Sequence, residues 1–181
     1  MRRQAQRAAS VGDLPLHGRD AAGYTAPGEL FCLPGDLAPI SAVFANKQLF
    51  DAAGLQIPSE SASNNYTWNN VVEQLARKLT KPDGSQYGLL VEYFESVPYS
   101  GNAYFVNDRL KPTKGVMDEP RWAKSVDMWV DWTTKTKIQP TIADRDRLGR
   151  KDYWALFAQN NVPMYVTGPW QIGNYMRMDP T

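Results

Sequence analysis

The chain has too few cysteines and histidines for several kinds of site. Its 181 residues include one cysteine and one histidine, which are Cys32 and His17. A single cysteine excludes an intramolecular disulfide, and one residue of each type excludes a zinc site built from cysteines and histidines. A lone histidine also leaves little for a catalytic triad. Because Cys32 lies in an apolar run, we expect it to be a small buried side chain.

Net charge and long apolar runs are also scarce. The formal net charge is +1, so the sequence shows no electrostatic footprint for nucleic acid or for an anionic membrane. No apolar run approaches the length of a membrane span. Arg2, Arg3 and Arg7 near the N-terminus are not followed by an apolar stretch, which does not fit a secretory signal, so the chain as written is expected to stay in the cytoplasm.

Motifs that carry catalysis or hold cofactors are missing as well. The sequence has no glycine-rich phosphate loop, no metal-ligand spacing and no nucleophile elbow, and we predict no cofactor and no metal. Three pairs of carboxylates lie close in sequence: Glu92 and Glu95, Asp127 and Asp131, and Asp144 and Asp146. A glycosidase needs two carboxyl groups across the scissile bond. The pairs at Asp127 and Asp131 and at Asp144 and Asp146 are typical of solvated surfaces. Only Glu92 is expected near a cleft, where it would accept hydrogen bonds from hydroxyl groups. We therefore predict that the chain is not an enzyme.

What is present is an ordinary globular composition with many aromatic residues. Hydrophobic residues make up 43% of the chain and charged residues 22%, which is typical of a folded domain. The aromatic content of 12% agrees with recognition of a ligand by ring stacking.

One stretch near the C-terminus organises the chain. Residues 162–166 are short, apolar and partly β-branched, a pattern that predicts a buried strand. Thr167 or Gly168 can cap the helix that follows, and Pro169 fits its first position. Trp170 then lies in the first helical turn, just beyond the carboxyl end of a strand, where ligands bind in open α/β sheets.

Two roles are open for Trp170. Large aromatic side chains are most often core residues. Here Gly168 and Pro169 fix the backbone without adding bulk, which leaves a flat ring at the mouth of the strand. Such a ring suits a sugar, whose C–H faces are apolar and whose hydroxyls are not.

Periodicity and turn residues place the remaining elements. We predict strands at 30–33, 40–44 and 87–93, helices at 46–51, 68–79, 99–106 and 151–160, and a charged loop at 139–150. A further long helix, capped by Asp118, is predicted to bury Trp122, Val126, Trp129, Val130 and Thr133 on one face.

Four stretches occur in an order typical of one known family. The first, GELFCLPGDLAPISAVFANKQLFDAAGL, spans residues 28–55. In the second, Thr67 and Trp68 open a helix that ends at Lys78–Leu79–Thr80. Asp83–Gly84–Ser85 and then Tyr87–Gly88 follow it. The third is the helix with Trp122 and Trp129, followed by Pro140, and the last is FAQNNVPMYVTGPW at 157–170. Together they resemble the extracellular solute-binding proteins of carbohydrate ABC importers, the maltose-binding-protein-like family.

The resemblance implies an α/β fold of two lobes with the sugar in the cleft between them. The chain is similar to one lobe of this type II periplasmic-binding-protein fold, a mostly parallel sheet flanked by helices, with a crossover segment from a second lobe that is largely missing. The resemblance implies a strand and crossover at 29–46 and the α/β lobe at 47–181. The segment at 1–28 is polar and weakly patterned, and we expect it to be weakly ordered.

The resemblance also implies a site and partners. Trp170 would stack on a sugar beside Gly168, Asp36 would face the cleft near the hinge, and Glu92 and Tyr93 would lie on the rim of the second lobe. The implied function is non-catalytic sugar binding, in the periplasm or outside the cell, with the membrane subunits of an ABC transporter as partners of a full-length protein only. The alternative is a truncated fragment that binds no ligand and persists as a self-associated or domain-swapped homodimer.

Overall fold

The computed structural model describes residues 17–19, 25–27, 42–58, 67–109, 111–149 and 152–178. The chain divides into two compact units, one formed by Met1–Leu37 and Phe105–Val116 and the other by Ala38–Tyr104 and Met117–Thr181. The predicted strand at 30–33, which contains Cys32, and the predicted site residue Asp36 lie outside the described residues. No helix of the described part is both long and apolar enough to cross a membrane.

The smaller unit contains two short strands and a closed loop. Strand β1 (His17–Arg19) pairs antiparallel with β2 (Thr25–Pro27). In the loop, Val106 and Gly115 form an isolated antiparallel bridge. The side-chain oxygen of Asn107 accepts hydrogen bonds from the backbone N–H groups of Thr113 and Lys114, at 3.2 and 3.0 Å, and so holds the loop closed.

The larger unit is built on a three-stranded mixed sheet. Its strands are β3 (Ala42–Ala45), β4 (Leu90–Val91) and β5 (Met164–Thr167), and β5 lies in the middle. It pairs antiparallel with β3 and parallel with β4. All four residues of β5 are buried, because a strand with a neighbour on each side is covered by the layers above and below. The prediction of a buried strand here is confirmed.

The outer edge of β4 is covered by another segment of the chain. The N–H of Leu89 donates to the carbonyl of Ile138 at 3.0 Å, and the N–H of Val91 donates to Oε1 of Gln139 at 2.9 Å. The sheet pairing is therefore limited to Leu90–Val91, although the sequence predicts a strand over 87–93. Before this short strand, the backbone bonds to a loop at Ile138, and directly after it the N–H of Glu92 still donates to Val166 of β5.

Seven helices flank the sheet in the described part of the chain. They are α1 (Lys47–Ala52), α2 (Glu73–Leu79), α3 (Ser96–Ser100), α4 (Pro120–Thr134), α5 (Ile142–Arg147), α6 (Tyr153–Ala158) and α7 (Ile172–Met178). A π-helical turn, Trp68–Val72, precedes α2, and a 3-10 turn, Pro169–Gln171, precedes α7. The side chain of Asn46 caps α1 by accepting from the N–H of Leu49 at 3.2 Å.

Helix α2 and the turn before it pack on the sheet through one apolar face. Val72, Ala76 and Leu79 are at most 3% exposed and belong to one apolar cluster with Leu89 and Val166. These three residues recur at i, i+4 and i+7, the spacing of one helical face. A second cluster lies under α6, formed by Tyr87, Leu90, Leu156, Val162 and Tyr165.

The long helix α4 buries a different face from the predicted one. Val126 and Val130 are 37% and 45% exposed, so the prediction is wrong for both. Trp132 is fully buried instead. Its ring centroid lies 5.4 Å from that of Trp68, and its indole N–H donates to Glu73 at 3.2 Å. Apolar side chains occur all around α4, so the packing partners decided which of them became buried.

Two further predictions are corrected. The helix predicted at 99–106 occurs earlier, as α3, because the chain leaves helical geometry at Gly101 and Asn102, the latter with a φ of 55°. The loop predicted at 139–150 contains α5. Thr141 and Asp144 form a capping box at its start, with reciprocal side-chain-to-backbone bonds, and this pattern favours a helix even in a charged segment.

Candidate functional site

Trp170 is exposed at the end of the central strand. Gly168 follows β5 in an extended conformation (φ −94°, ψ 167°), and Pro169 opens the 3-10 turn. The indole is 43% exposed and lies against Gly168, where a Cβ atom would come within 2.0 Å of Cζ3 of the ring. Gly168 is therefore needed for the position of the ring, and the interpretation of Trp170 as a core residue is wrong.

Tyr93 stands beside Trp170. It follows β4, which runs parallel to β5, so the carboxyl ends of the two strands meet at the same edge of the sheet. The two rings are arranged edge to face, with centroids 5.7 Å apart and an interplanar angle of 85°. Tyr93 is 36% exposed, so the pair presents two ring faces at nearly a right angle.

Glu92 lies next to this pair and is held by β5. The hydroxyl of Tyr165 donates to its Oε2 atom at 2.5 Å, and the hydroxyl of Thr167 donates to the same oxygen. The backbone N–H of Glu92 donates to the carbonyl of Val166 at 3.0 Å. Tyr165 and Thr167 point to one face of β5 because side chains alternate along a strand. The carboxylate is thereby fixed in orientation.

The carboxylate also acts on the surrounding phenols. Burial, and then the hydrogen bond to Glu92, raise the pKa of Tyr165 well above its usual value. Burial and the charge of Glu92 raise the pKa of Tyr93 and of Tyr175 in the same way. The three phenols therefore remain protonated at neutral pH. The hydroxyl of Tyr165 donates to Glu92, whereas the buried hydroxyl of Tyr175 has no hydrogen-bond partner among the described residues.

No cation of the described segments neutralises this site. None of their Lys or Arg side chains forms an ion pair with Glu92. The described residues likewise contain no group of three or more His, Cys, Asp or Glu side chains that could hold a metal ion. The arrangement can stack on an apolar surface and accept hydrogen bonds from donors.

The other carboxylate pairs serve the helices on which they lie. Asp144 belongs to the capping box of α5. Asp131 pairs with Lys135 on α4 at 2.8 Å, and Asp127 is exposed. These contacts agree with the prediction of solvated surfaces for Asp127, Asp131 and Asp144.

The structure brings four of the five predicted site residues together. Glu92, Tyr93, Gly168 and Trp170 lie at one edge of the sheet, while Asp36 is outside the described residues. Sequence reasoning missed the residues that hold and surround the carboxylate, which are Tyr165, Thr167 and Tyr175. The signal that could have identified the first two is the alternation of polar Tyr165 and Thr167, had the predicted strand been extended by one residue to Thr167.

The family model described as "bacterial extracellular solute-binding protein" matches residues 7–180. A comparison with curated proteins gives no significant match. Among solved structures, the ABC substrate-binding protein Lmo0181 from Listeria monocytogenes, in complex with cycloalternan, is 23% identical with a TM-score of 0.66. The alignment covers 78% of this chain and 35% of that one.

Two further structures share the fold. A solute-binding protein of an ABC transporter from Thermotoga lettingae, bound to α-D-tagatose, is 22% identical with a TM-score of 0.62, and 79% of this chain aligns with 36% of that one. An extracellular solute-binding protein from Staphylococcus aureus, in complex with maltose, is 24% identical with a TM-score of 0.56, at 78% and 35% coverage.

These matches agree with the α/β architecture and the predicted lobe of a type II binding-protein fold. The chain spans about a third of the length of these structures. Proteins of this kind bind solutes rather than transform them, in line with the predicted lack of catalysis. The match over residues 7–180 shows that the chain belongs to the family of bacterial extracellular solute-binding proteins.

Proposed function

We propose that this chain binds a carbohydrate at the edge of the sheet formed by β4 and β5. One observation carries the proposal: the indole of Trp170 is 43% exposed and packs against Tyr93, the residue that follows the fixed carboxylate of Glu92. The C–H face of a sugar ring stacks on such an indole, and its hydroxyl groups donate to a carboxylate oxygen. Tyr93 provides the second wall, and Gly168 allows the indole to lie flat.

The similar structures support a sugar as the ligand. Those proteins are in complex with cycloalternan, α-D-tagatose and maltose, all of them carbohydrates. In the proposed setting, the chain forms part of a solute-binding protein outside the cytoplasmic membrane, and that protein delivers its sugar to the membrane subunits of an ABC importer. Asp36 remains a proposed member of the site.

A titration tests sugar binding directly. The full chain is titrated with maltose, maltotetraose and tagatose, followed by calorimetry and by tryptophan fluorescence. We expect saturable binding of at least one sugar, with a change in fluorescence as Trp170 is covered. Trp170→Ala should weaken that binding about fivefold or more, since stacking on an aromatic ring contributes about 1 kcal/mol.

The matched control is Ile172→Ala. Ile172 is 47% exposed and lies two residues further along the chain, so this change removes a similar exposed apolar surface without removing a ring. Its sugar affinity should equal that of the unmodified chain. If the unmodified chain gives neither a heat of binding nor a fluorescence change with any of these sugars at millimolar concentration, the proposal is rejected.

Self-association without a ligand remains the alternative prediction. It is tested by light scattering over a dilution series. A mass that falls from dimer to monomer on dilution, in a chain that binds no sugar, would favour it.

A further inference from the structure

We infer that the site selects its ligand by charge and takes an amino sugar: it prefers a sugar with a protonated amine to the matching neutral sugar, and it disfavours one with a carboxylate. The inference rests on the proposed function and deepens it by naming the class of ligand. It is drawn from the juxtaposition of Glu92 with the exposed rings of Tyr93 and Trp170.

The first argument is the charge of Glu92. The hydroxyls of Tyr165 and Thr167 bond to Oε2, and the phenol of Tyr93 is a further donor to the carboxylate; all three are neutral. Glu92 is half-buried, and no Lys or Arg of the described segments forms an ion pair with it. A half-buried charge without a counter-ion is stabilised most by a partner of opposite charge. An ammonium group supplies that charge, whereas a sugar hydroxyl supplies only a hydrogen bond.

The second argument is the pair of ring faces. Tyr93 and Trp170 are 36% and 43% exposed and stand at 85° to each other. A cation over the face of either ring is attracted by the negative charge density of the π-system. An amine that bonds to Glu92 therefore meets a favourable surface on the neighbouring ring as well, while a carboxylate at the same place is repelled.

The third argument is the sign of the surrounding charge. The charges that act on the phenol of Tyr93 are those of Glu92 and Glu95, and the charge that acts on Tyr175 is that of Glu92. The chain as a whole is nearly neutral, at +1, whereas the charges that act on these two phenols are negative. Like charges placed together disfavour binding of an acidic sugar.

The test uses four sugars that differ in charge on one ring. The probes are the methyl β-glycosides of glucose, glucosamine, N-acetylglucosamine and glucuronic acid, titrated into the full chain by calorimetry at low salt and neutral pH. We expect the glucosaminide to bind about tenfold more tightly than the glucoside, because a charge-assisted hydrogen bond is about twice as strong as a neutral one. The N-acetyl derivative, whose amine is acylated and uncharged, should lose this advantage. The glucuronide should bind most weakly.

Two variants separate the charge of Glu92 from a general effect. Glu92→Gln keeps the shape of the side chain and removes its charge, and should reduce the tenfold preference to about twofold or less. Glu119→Gln makes the same chemical change at a side chain that is 47% exposed at the start of α4, and should keep the preference.

The outcomes distinguish this inference from the proposed function. Equal or weaker binding of the glucosaminide than of the glucoside, or an unchanged preference in Glu92→Gln, overturns the charge selection while sugar binding stands. The same holds if the glucosaminide does not bind and maltose or maltotetraose does. If no sugar binds at all, the proposed function fails, and this inference fails with it.

Discussion

Replacing Gly168 by alanine tests the geometry that leaves the Trp170 ring exposed. A Cβ atom at this position would lie 2.0 Å from Cζ3, 2.1 Å from Cη2 and 2.4 Å from Cε3 of the indole. Carbon atoms in contact are separated by about 3.5–4.0 Å. The ring must therefore move away by about 1.5 Å to accept the new methyl group. The backbone itself can accept alanine, because φ is −94° and ψ is 167°.

The cost of this change should fall on binding more than on stability. Since Trp170 is already 43% exposed, its displacement should lower the free energy of unfolding by only about 1 kcal/mol. The displaced ring no longer holds its position against Gly168 and Tyr93. Sugar affinity should then fall about fivefold, which corresponds to the loss of about 1 kcal/mol of stacking.

A double-mutant cycle measures whether the effect passes through Trp170. Gly168→Ala, Trp170→Ala and the double variant are compared by sugar titration and by chemical denaturation. If the methyl group acts by moving the ring, the double variant binds no more weakly than Trp170→Ala alone. Gly173→Ala is the control: no atom lies within 4 Å of its added Cβ, so affinity should be unchanged and α7 stabilised by about 0.5–1 kcal/mol.

Additive losses in the double variant would refute this reasoning. They would mean that Gly168 contributes to binding independently of the indole. A Gly168→Ala chain with unchanged affinity and unchanged tryptophan fluorescence would refute the geometry itself.

Three other changes test the packing around the site. Gly88→Ala places a Cβ atom 1.9 Å from the backbone carbonyl oxygen of Ala76. It should lower the free energy of unfolding by about 3 kcal/mol, because a helix backbone cannot move aside as a side chain can. A denaturation midpoint equal to that of the unmodified chain would contradict this prediction. Gln139→Leu leaves the buried N–H of Val91 without its acceptor and should cost about 1–3 kcal/mol in the same assay. Tyr175→Phe removes a buried hydroxyl that has no partner, so stability should be equal or about 1 kcal/mol higher, and a clear loss would show that the hydroxyl is bonded in solution.

Much of the candidate site was predictable because its determinants are local. The step from strand to glycine to proline at Thr167, Gly168 and Pro169 depends on backbone preferences of adjacent residues, and it placed Trp170 at the end of a strand. The position of Glu92 after an apolar run identified it in the same way. The hydroxyls that bond to Glu92 were missed because Tyr165 is 73 residues away in sequence, and only the parallel pairing of β4 with β5 brings the two together.

Residue order within short stretches was enough to predict the family, the α/β class and several turns, although the cap expected at Asp118 lies at Glu119. It also placed an aromatic ring and a carboxylate at strand ends. Only the tertiary structure decided that β5 lies between one antiparallel and one parallel neighbour, that Trp132 rather than Val126 or Val130 is buried, and that Glu92 meets no described cation. These outcomes depend on contacts between residues distant in sequence, and such contacts form only when the elements pack against one another.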